Sequence, residues 1–272
     1  MWGWLQSLPS RLFAARPRIP QDLWQLTLNN YPFLAQEENS DAPRLRQLCE
    51  LFLHEKEFHG SNGLVVTDEI ALAIAAQACL PILNFGPPAQ ALAWYDDFVG
   101  IVVHPGEVLA WRETTDEAGV AHHHQEILVG EAMDGGPIML SWQDVHAAGQ
   151  SAERGYNVVI HEFTHKLDLR DGQADGCPAL WPGFMGATSV RQARSLWLAT
   201  IELNYRQFQE QVTRAQRFGA AEPWLDSYAS ESIDEFFAVT SEAFHVSRQR
   251  FTQEFPTLLP LFHAFFNPGT RH

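Results

Sequence analysis

Apolar residues recur at helical spacing along much of this chain, and two short segments are instead typical of strands. Helical periodicity covers residues 42–58, 69–79, 190–217, 232–246 and 251–266. The strand-like segments are 98–103, which a His-Pro-Gly turn follows, and 137–142. The order of helices, a few strands and further helices predicts an α+β fold.

The motif H-E-x-x-H lies inside an apolar stretch that predicts a helix over residues 152–169. His161 and His165 are one helical turn apart, so both imidazoles can bind one metal ion. Glu162 lies beside them and is suited to take a proton from a metal-bound water. The structural alternative is a buried helix with two hydrogen-bonded histidines. Lys166 is unusual directly after the second histidine, and we expect it to reach solvent or a carboxylate.

Composition limits the classes of function that fit this chain. Its 272 residues suffice for one sizeable domain, and 33 acidic against 18 basic residues give a formal net charge of -15. That charge argues against direct binding to nucleic acid or to anionic membranes. The apolar run at 70–83 is too short for a membrane span, and residues 1–16 lack a signal-peptide pattern. We therefore expect a soluble, cytoplasmic protein.

Two other histidine groups are poor candidates for a metal site. His54 and His59 are five residues apart, about 140° around a helix, so we place them at a solvated helix end. Three adjacent histidines, at 122–124, cannot all face one ion from a regular element. This spacing favours a solvated loop.

A catalytic zinc site usually has three protein ligands and an open position, so the two motif histidines need a third partner. The acidic segment that begins at residue 226 supplies several candidates, and chemistry alone does not separate them. They are Glu231, Asp234, Glu235 and Glu242.

Four segments together resemble the Mlc titration factor A family of zinc peptidases. They are CLPIL at 79–83, GPIMLSW at 136–142, HEFTHKLD at 161–168 and SYASESIDEFFAVTSEAF at 227–244. The resemblance extends over residues 45–266. The last segment is also similar to the catalytic domain of anthrax lethal factor, in which a tyrosine precedes a glutamate ligand by seven residues. Tyr228 and Glu235 have the same spacing.

The resemblance implies a zincin-like peptidase, mainly helical, with a small mixed sheet beside the active-site helix. It also implies one Zn2+ per chain, bound by His161, His165 and Glu235. Ser232 and Glu235 form a capping-box pattern as well, so the helix start competes for the same carboxylate.

The same resemblance implies that Glu162 is the catalytic base and that Tyr228 stabilises the oxyanion. Tyr228 equally fits a packed aromatic whose hydroxyl binds backbone. Asp168 fits two roles: it orients a ligand imidazole, or it pairs with Lys166 or caps the helix end. The strand at 138–141 is a candidate edge for pairing with substrate backbone.

Members of this family are associated with binding the glucose repressor Mlc and with aminopeptidase-type activity on small substrates. The resemblance therefore implies a peptidase acting on small peptides, with a regulatory role through a transcription-repressor partner. The alternative is a regulatory protein that sequesters the repressor with little proteolysis, and a third hypothesis is hydrolysis of a non-peptide amide. The implied organisation is an irregular tail at 1–20, a helical part at 21–85 and a catalytic part at 86–272, the last two forming one compact unit.

Overall fold

The computed structural model describes residues 18–36, 41–106 and 136–269 in full, and 108–115, 121–128 and 130–132 for the backbone alone. Its helices are α1 (Gln21–Asn30), α2 (Ala42–Glu55), α3 (Asp68–Cys79), α4 (Pro88–Leu92), α5 (Trp142–Ser151), α6 (Val158–Asp168), α7 (Val190–Phe218), α8 (Ile233–Val246), α9 (Arg248–Glu254) and α10 (Leu259–Phe266). Its strands are β1 (Glu57–Gly60), β2 (Gly100–His104), β3 (Val108–Thr115), β4 (Ala121–Leu128), β5 (Gly130–Ala132) and β6 (Ile138–Ser141). The α+β class predicted from the sequence is confirmed.

The main sheet is small and mixed, with the strand order β1-β2-β6-β5. The strands β1, β2 and β6 are parallel, and β5 pairs antiparallel with β6, with Gly130 opposite Leu140. Because β2 and β5 flank β6, the strand at 138–141 is not an edge. The prediction that it offers a free edge to substrate was wrong, because the backbone of β6 is already paired with a neighbouring strand on each side. Among the described strands, β5 ends the sheet on that side.

The strands β3 and β4 form a separate antiparallel hairpin. The three histidines at 122–124 lie in β4, where they pair with residues 112–114 of β3. The prediction of a loop at this run was wrong. Strand pairing is made by the backbone, so a run of polar side chains does not prevent it.

Several helix boundaries differ from those that the hydrophobic periodicity predicts. The helix predicted at 42–58 ends at Glu55, because Lys56 is extended and the Glu57 amide then donates to Val99 O at 2.9 Å. His59 therefore lies in β1 rather than at a helix end. Thr67 caps α3, with its hydroxyl accepting from the Ile70 amide at 3.3 Å.

Other differences come from turns and from proline. The motif helix begins at Val158 instead of residue 152, because Gly155 has a φ of 76° that interrupts the helix. The helix predicted at 251–266 is split into α9 and α10 around Pro256, which cannot continue a hydrogen-bonded helix. The short amphipathic helices α1 and α5 were not predicted.

A single hydrophobic core joins helices from both ends of the chain. Phe163 of α6 contacts the rings of Phe52 and Tyr95, with centroids 5.7 and 4.9 Å away. Trp197 of α7 stacks on Phe262 of α10 at 5.8 Å. All three cysteines are buried and free. The division of the chain at residues 20 and 85 stays a prediction, and residues 1–17 lie outside the description.

Among the residues that the structure describes, no helix combines the length and apolar character that a bilayer span requires.

Candidate metal centre

The motif helix α6 is fixed at its start by Asn157 and along one face by the core. The Asn157 side chain accepts a hydrogen bond from the Ile160 amide at 2.9 Å, which caps the helix. Phe163 lies about 200° around the helix from His161 and packs into the core. The opposite face therefore directs His161 and His165 towards α8.

The structure brings His161, His165 and Glu235 together, with one ligand atom from each within 4.8 Å of the others. The two Nε2 atoms are 3.1 Å apart. Oε2 of Glu235 lies 3.1 Å from Nε2 of His161 and 3.4 Å from Nε2 of His165. Three ligand atoms thus form a nearly equilateral triangle.

This triangle fits a small divalent ion. A tetrahedral ion with bonds of about 2.0 Å holds its ligand atoms about 3.3 Å apart, close to the three separations found here. Oε2 of Glu235 is also buried, and its close polar contacts among the described residues are the two imidazoles, so a bound cation would take their place as its partner. Two imidazoles and one carboxylate are a donor set that first-row divalent metals accept.

The charges at the triangle are complementary. Burial acts to lower the pKa of His161, but Glu235 and Glu242 raise it well above its usual value. Burial likewise acts to raise the pKa of Glu235, but the two imidazoles hold it well below its usual range. The carboxylate of Glu235 is therefore ionised, as a metal ligand must be.

Glu235 takes part in a helix cap without giving up its carboxylate. Its backbone amide donates to Oγ of Ser232 at 3.3 Å, which is one half of the predicted capping box. Its carboxylate instead faces the two imidazoles and the Tyr228 hydroxyl. The helix cap and the candidate metal centre therefore do not compete for Glu235, because the cap uses its backbone amide and the candidate centre uses its carboxylate.

Of the other acidic candidates, Glu242 lies behind His161. Its Oε1 is 2.7 Å from Nδ1 of His161, on the side of the ring away from the triangle. Because Nδ1 donates to this carboxylate, Nε2 is the ring atom that would bind a metal ion. Among the described residues, Glu231 and Asp234 belong to no cluster of possible metal ligands.

Glu162 is almost fully buried, although it is ionisable. Burial raises its pKa to about 7, and the charges of His161 and His165 only partly oppose this shift. A carboxylate with a pKa near neutrality can both accept and return a proton under physiological conditions.

Tyr228 lies in a short 3-10 turn, Ser227–Ser230, immediately before α8. The Asp226 side chain accepts from the Tyr228 amide at 2.9 Å, and the Tyr205 hydroxyl of α7 donates to Ser230 O at 3.0 Å. The turn is thus held from both sides. The Tyr228 hydroxyl donates to Oε1 of Glu235 at 3.1 Å, so it binds a side chain of the candidate centre rather than backbone alone.

Lys166 and Asp168 do not pair with each other in the way that their spacing allows. Lys166 is buried, and its ammonium lies 3.2 Å from Asp97, which fulfils the expectation of a carboxylate partner. Oδ2 of Asp168 accepts from the Gly176 amide at 2.9 Å, beyond the end of α6. Asp168 therefore holds the loop after the helix, and the structure shows no hydrogen bond from it to either imidazole among the described residues.

Sequence reasoning missed how Glu242 and Asn157 contribute to this centre. Glu235 and Glu242 are two helical turns apart, so their spacing already places both on one face of α8. Asn157 directly precedes the apolar run, as an N-cap residue does. The spacing of the two glutamates and the position of Asn157 are both visible in the sequence. Only the structure shows that this face of α8 packs against α6.

A family described as glucose-regulated metallo-peptidase M90 matches residues 5–267. A Mlc titration factor A from Escherichia coli O7:K1 is 30% identical over 244 residues, which cover 89% of this chain and 84% of the relative.

Two further relatives cover a similar share. A Mlc titration factor A from Klebsiella pneumoniae is 28% identical over 236 residues, 86% of this chain and 82% of the relative. An uncharacterised protein of Synechocystis is 31% identical over 249 residues, 90% of this chain and 83% of the relative. The resemblance found in the sequence is confirmed: the chain belongs to the glucose-regulated metallo-peptidase M90 family.

Proposed function

We propose that this chain is a zinc-dependent peptidase, with His161, His165 and Glu235 as the ligands of one Zn2+. The observation that supports this most is the triangle of two Nε2 atoms and one Oε2 atom with sides of 3.1, 3.1 and 3.4 Å. Imidazole and carboxylate ligands in this number favour zinc with one position left open. When bound, zinc supplies a Lewis acid at the point where the three ligand atoms converge.

The chain's own residues supply proton transfer and stabilisation of charge. Glu162 takes the proton of the attacking water and returns it to the leaving amine, for which a pKa of about 7 is well suited. The Tyr228 hydroxyl donates to the oxygen on which negative charge develops. Its present bond to Glu235 keeps the hydroxyl at the centre before substrate arrives.

We propose that substrate backbone pairs with β5. This strand ends the described sheet and lies against the motif helix α6. An extended peptide added there would run beside the metal ligands, and backbone hydrogen bonds would hold it with little dependence on its side chains. Aminopeptidase-like action on small peptides rests on the family resemblance.

We further propose a regulatory partner. Two of the relatives are named titration factors of Mlc, and we extend that partner class to a Mlc-like transcription repressor in the cytoplasm. The formal net charge of -15 disfavours direct binding to nucleic acid, so the repressor and not its DNA is the expected partner. The competing function is sequestration of the repressor with little proteolysis, which needs no metal.

Zinc content and peptide cleavage test the peptidase proposal together. We expect one zinc per chain in wild type, loss of that zinc in Glu235→Ala, and retention in the neighbouring control Asp234→Ala. Glu162→Gln should keep zinc and lose about 100-fold or more in turnover of short peptide reporters. Wild type that takes up no metal when zinc is supplied would refute the proposal.

Repressor binding separates the two functions. Binding that is unchanged in Glu162→Gln and His165→Ala, together with no cleavage of any peptide by wild type, would establish sequestration in place of proteolysis. Cleavage of short peptides by wild type but not by Glu162→Gln would establish the peptidase, and would also separate it from an enzyme that acts only on non-peptide amides.

A further inference from the structure

Behind His161, three buried polar residues from separate parts of the chain form one run of hydrogen bonds. They are Gln77 in the last turn of α3, Asn157 at the start of α6 and Glu242 on α8. Their exposed fractions are 0%, 0% and 1%. Residues 80 positions apart in the chain meet here, so the run depends on the packing of three helices.

The first part of the run fixes the orientation of two amides. Nε2 of Gln77 donates to Ala73 O at 3.1 Å, so Oε1 of Gln77 faces Asn157. Nδ2 of Asn157 donates to that oxygen at 2.7 Å. Oδ1 of Asn157 is then left to accept from the Ile160 amide at 2.9 Å, which caps the motif helix.

The second part of the run reaches the metal ligand. The backbone amide of Asn157 donates to Oε2 of Glu242, and Oε1 of Glu242 lies 2.7 Å from Nδ1 of His161. Each carboxylate oxygen of Glu242 therefore has one partner. The position of Asn157 sets where this carboxylate lies, and the carboxylate sets the rotation of the His161 ring.

Gln77 is conspicuous because the rest of α3 is apolar from Ile70 to Cys79 and every residue of that stretch is buried. A buried amide gains little stability over an apolar side chain of the same shape, because its hydrogen bonds only replace those made with water. Packing alone therefore does not require Gln77. Its hydrogen bond to Asn157 is the specific interaction that an apolar residue could not make.

We propose that Gln77 and Asn157 are positioning residues of the metal centre, which orient the His161 imidazole through Glu242. For its effect on metal binding this inference rests on the proposed zinc ligation. The hydrogen-bonded run itself is a property of the metal-free protein, so the two can be tested apart.

The first experiment follows the imidazole of His161 in metal-free protein by ¹⁵N-edited NMR. Gln77→Met keeps the length of the side chain and removes its acceptor, so the Nδ1 proton of His161 should shift and exchange faster with solvent. Asn157→Ser keeps a capping hydroxyl and removes the donor to Gln77, and should give the same change. The control Ile74→Val trims a buried residue of the same helix and should leave the Nδ1 signal unchanged.

The second experiment measures zinc affinity and the visible spectrum of the Co2+-substituted protein. Gln77→Met should weaken zinc binding about tenfold, at the low end of the effects seen for residues behind a metal ligand. In the Glu242→Gln background the same substitution should have little further effect, because the run would already be broken at Glu242. If Gln77 only stabilised the fold, Gln77→Met would weaken zinc binding in the Glu242→Gln background as much as it does in wild type.

The outcomes separate the inference from the proposed function. An unchanged Nδ1 signal in Gln77→Met, or effects of Gln77→Met and Glu242→Gln that simply add, would overturn the positioning role. If Gln77→Met changes the Nδ1 signal but wild type binds no zinc, the result would support the positioning of His161 and refute the zinc proposal. Changed signal, weaker zinc binding and non-additivity together would support both.

Discussion

The hydroxyl of Tyr228 lies 3.1 Å from Oε1 of Glu235, although one residue belongs to a 3-10 turn and the other to the first turn of α8. Their seven-residue spacing is therefore met by a turn followed by a helix start, not by two turns of one helix. Tyr228 is 39% exposed, so substrate can reach it. To stabilise an oxyanion, the hydroxyl must exchange its bond to Glu235 for one to substrate.

Tyr228→Phe tests that exchange. We expect kcat to fall about 100-fold, as for loss of one oxyanion donor. Zinc content should be unchanged, because Oε2 and not Oε1 of Glu235 faces the imidazoles. Steady-state cleavage of a short peptide and elemental analysis of the same sample measure both. Wild-type kcat in this variant would show that the phenol has no catalytic role.

Asp168 should make the stability of the metal-free protein depend on pH. Burial raises its pKa from 3.8 to about 7, and the Gly176 amide only partly opposes this. Between these values the folded protein binds more protons than the unfolded chain. Wild type therefore loses stability as pH rises from about 4 to 7.

Asp168→Asn removes this dependence while keeping an acceptor for Gly176. Relative to wild type, the variant should gain on the order of 4 kcal/mol in unfolding free energy between pH 4 and pH 8, from a shift of about three pKa units at about 1.4 kcal/mol each. Urea denaturation of both proteins in the presence of a chelator measures the difference in unfolding free energy at each pH. Groups that titrate equally in both proteins do not contribute to this difference. A difference that is constant with pH would contradict the assignment.

Gly176 joins the elements that carry the candidate metal centre. Its amide donates to Asp168 of α6, its carbonyl accepts from the Trp197 indole at 2.6 Å, and a Cβ there would lie 2.7 Å from Ile233 O at the start of α8. Gly172 has a similar positive φ but open space around it. The two glycines thus differ in contacts and not in backbone conformation.

Gly172→Ala should therefore lose about 1 kcal/mol of unfolding free energy from backbone strain alone. Gly176→Ala should lose clearly more and should also weaken zinc binding, because the collision pushes α8 and Glu235 away from α6. Thermal unfolding and zinc titration of the pair check this. Equal effects of the two substitutions would show that the close approach at Gly176 is relieved without moving α8.

The ion pair of Lys166 and Asp97 should contribute to stability more than surface pairs do. The Lys166 side chain is fully buried and that of Asp97 is 30% exposed. Asp97→Asn removes a negative charge 3.2 Å from a buried ammonium and should cost about 2 kcal/mol. The control is Glu202→Gln, which breaks the exposed pair with Arg206 and should cost less than about 0.5 kcal/mol. Chemical denaturation at neutral pH compares them.

Local spacing was enough to predict the parts of this protein that depend on neighbours in the chain. The helix that carries His161 and His165, the cap of α3 by Thr67 and the start of α8 at Ser232 all follow from patterns a few residues long. Helical geometry fixes the relative direction of side chains at such distances, so the structure could differ only in where the elements end.

Tertiary structure alone decided how those elements meet. Glu235 and Glu242 were both acceptable ligands from chemistry, and the packing of α6 on α8 put one at the triangle and the other behind His161, 81 residues away in the chain. The same holds for the order of the sheet, which places the strand at 138–141 between β2 and β5. Side-chain spacing specifies which face of a helix or strand is apolar. It does not specify which other helix or strand packs against that face, because the gain from burying apolar area does not depend on direction. The packing of the whole core decides that.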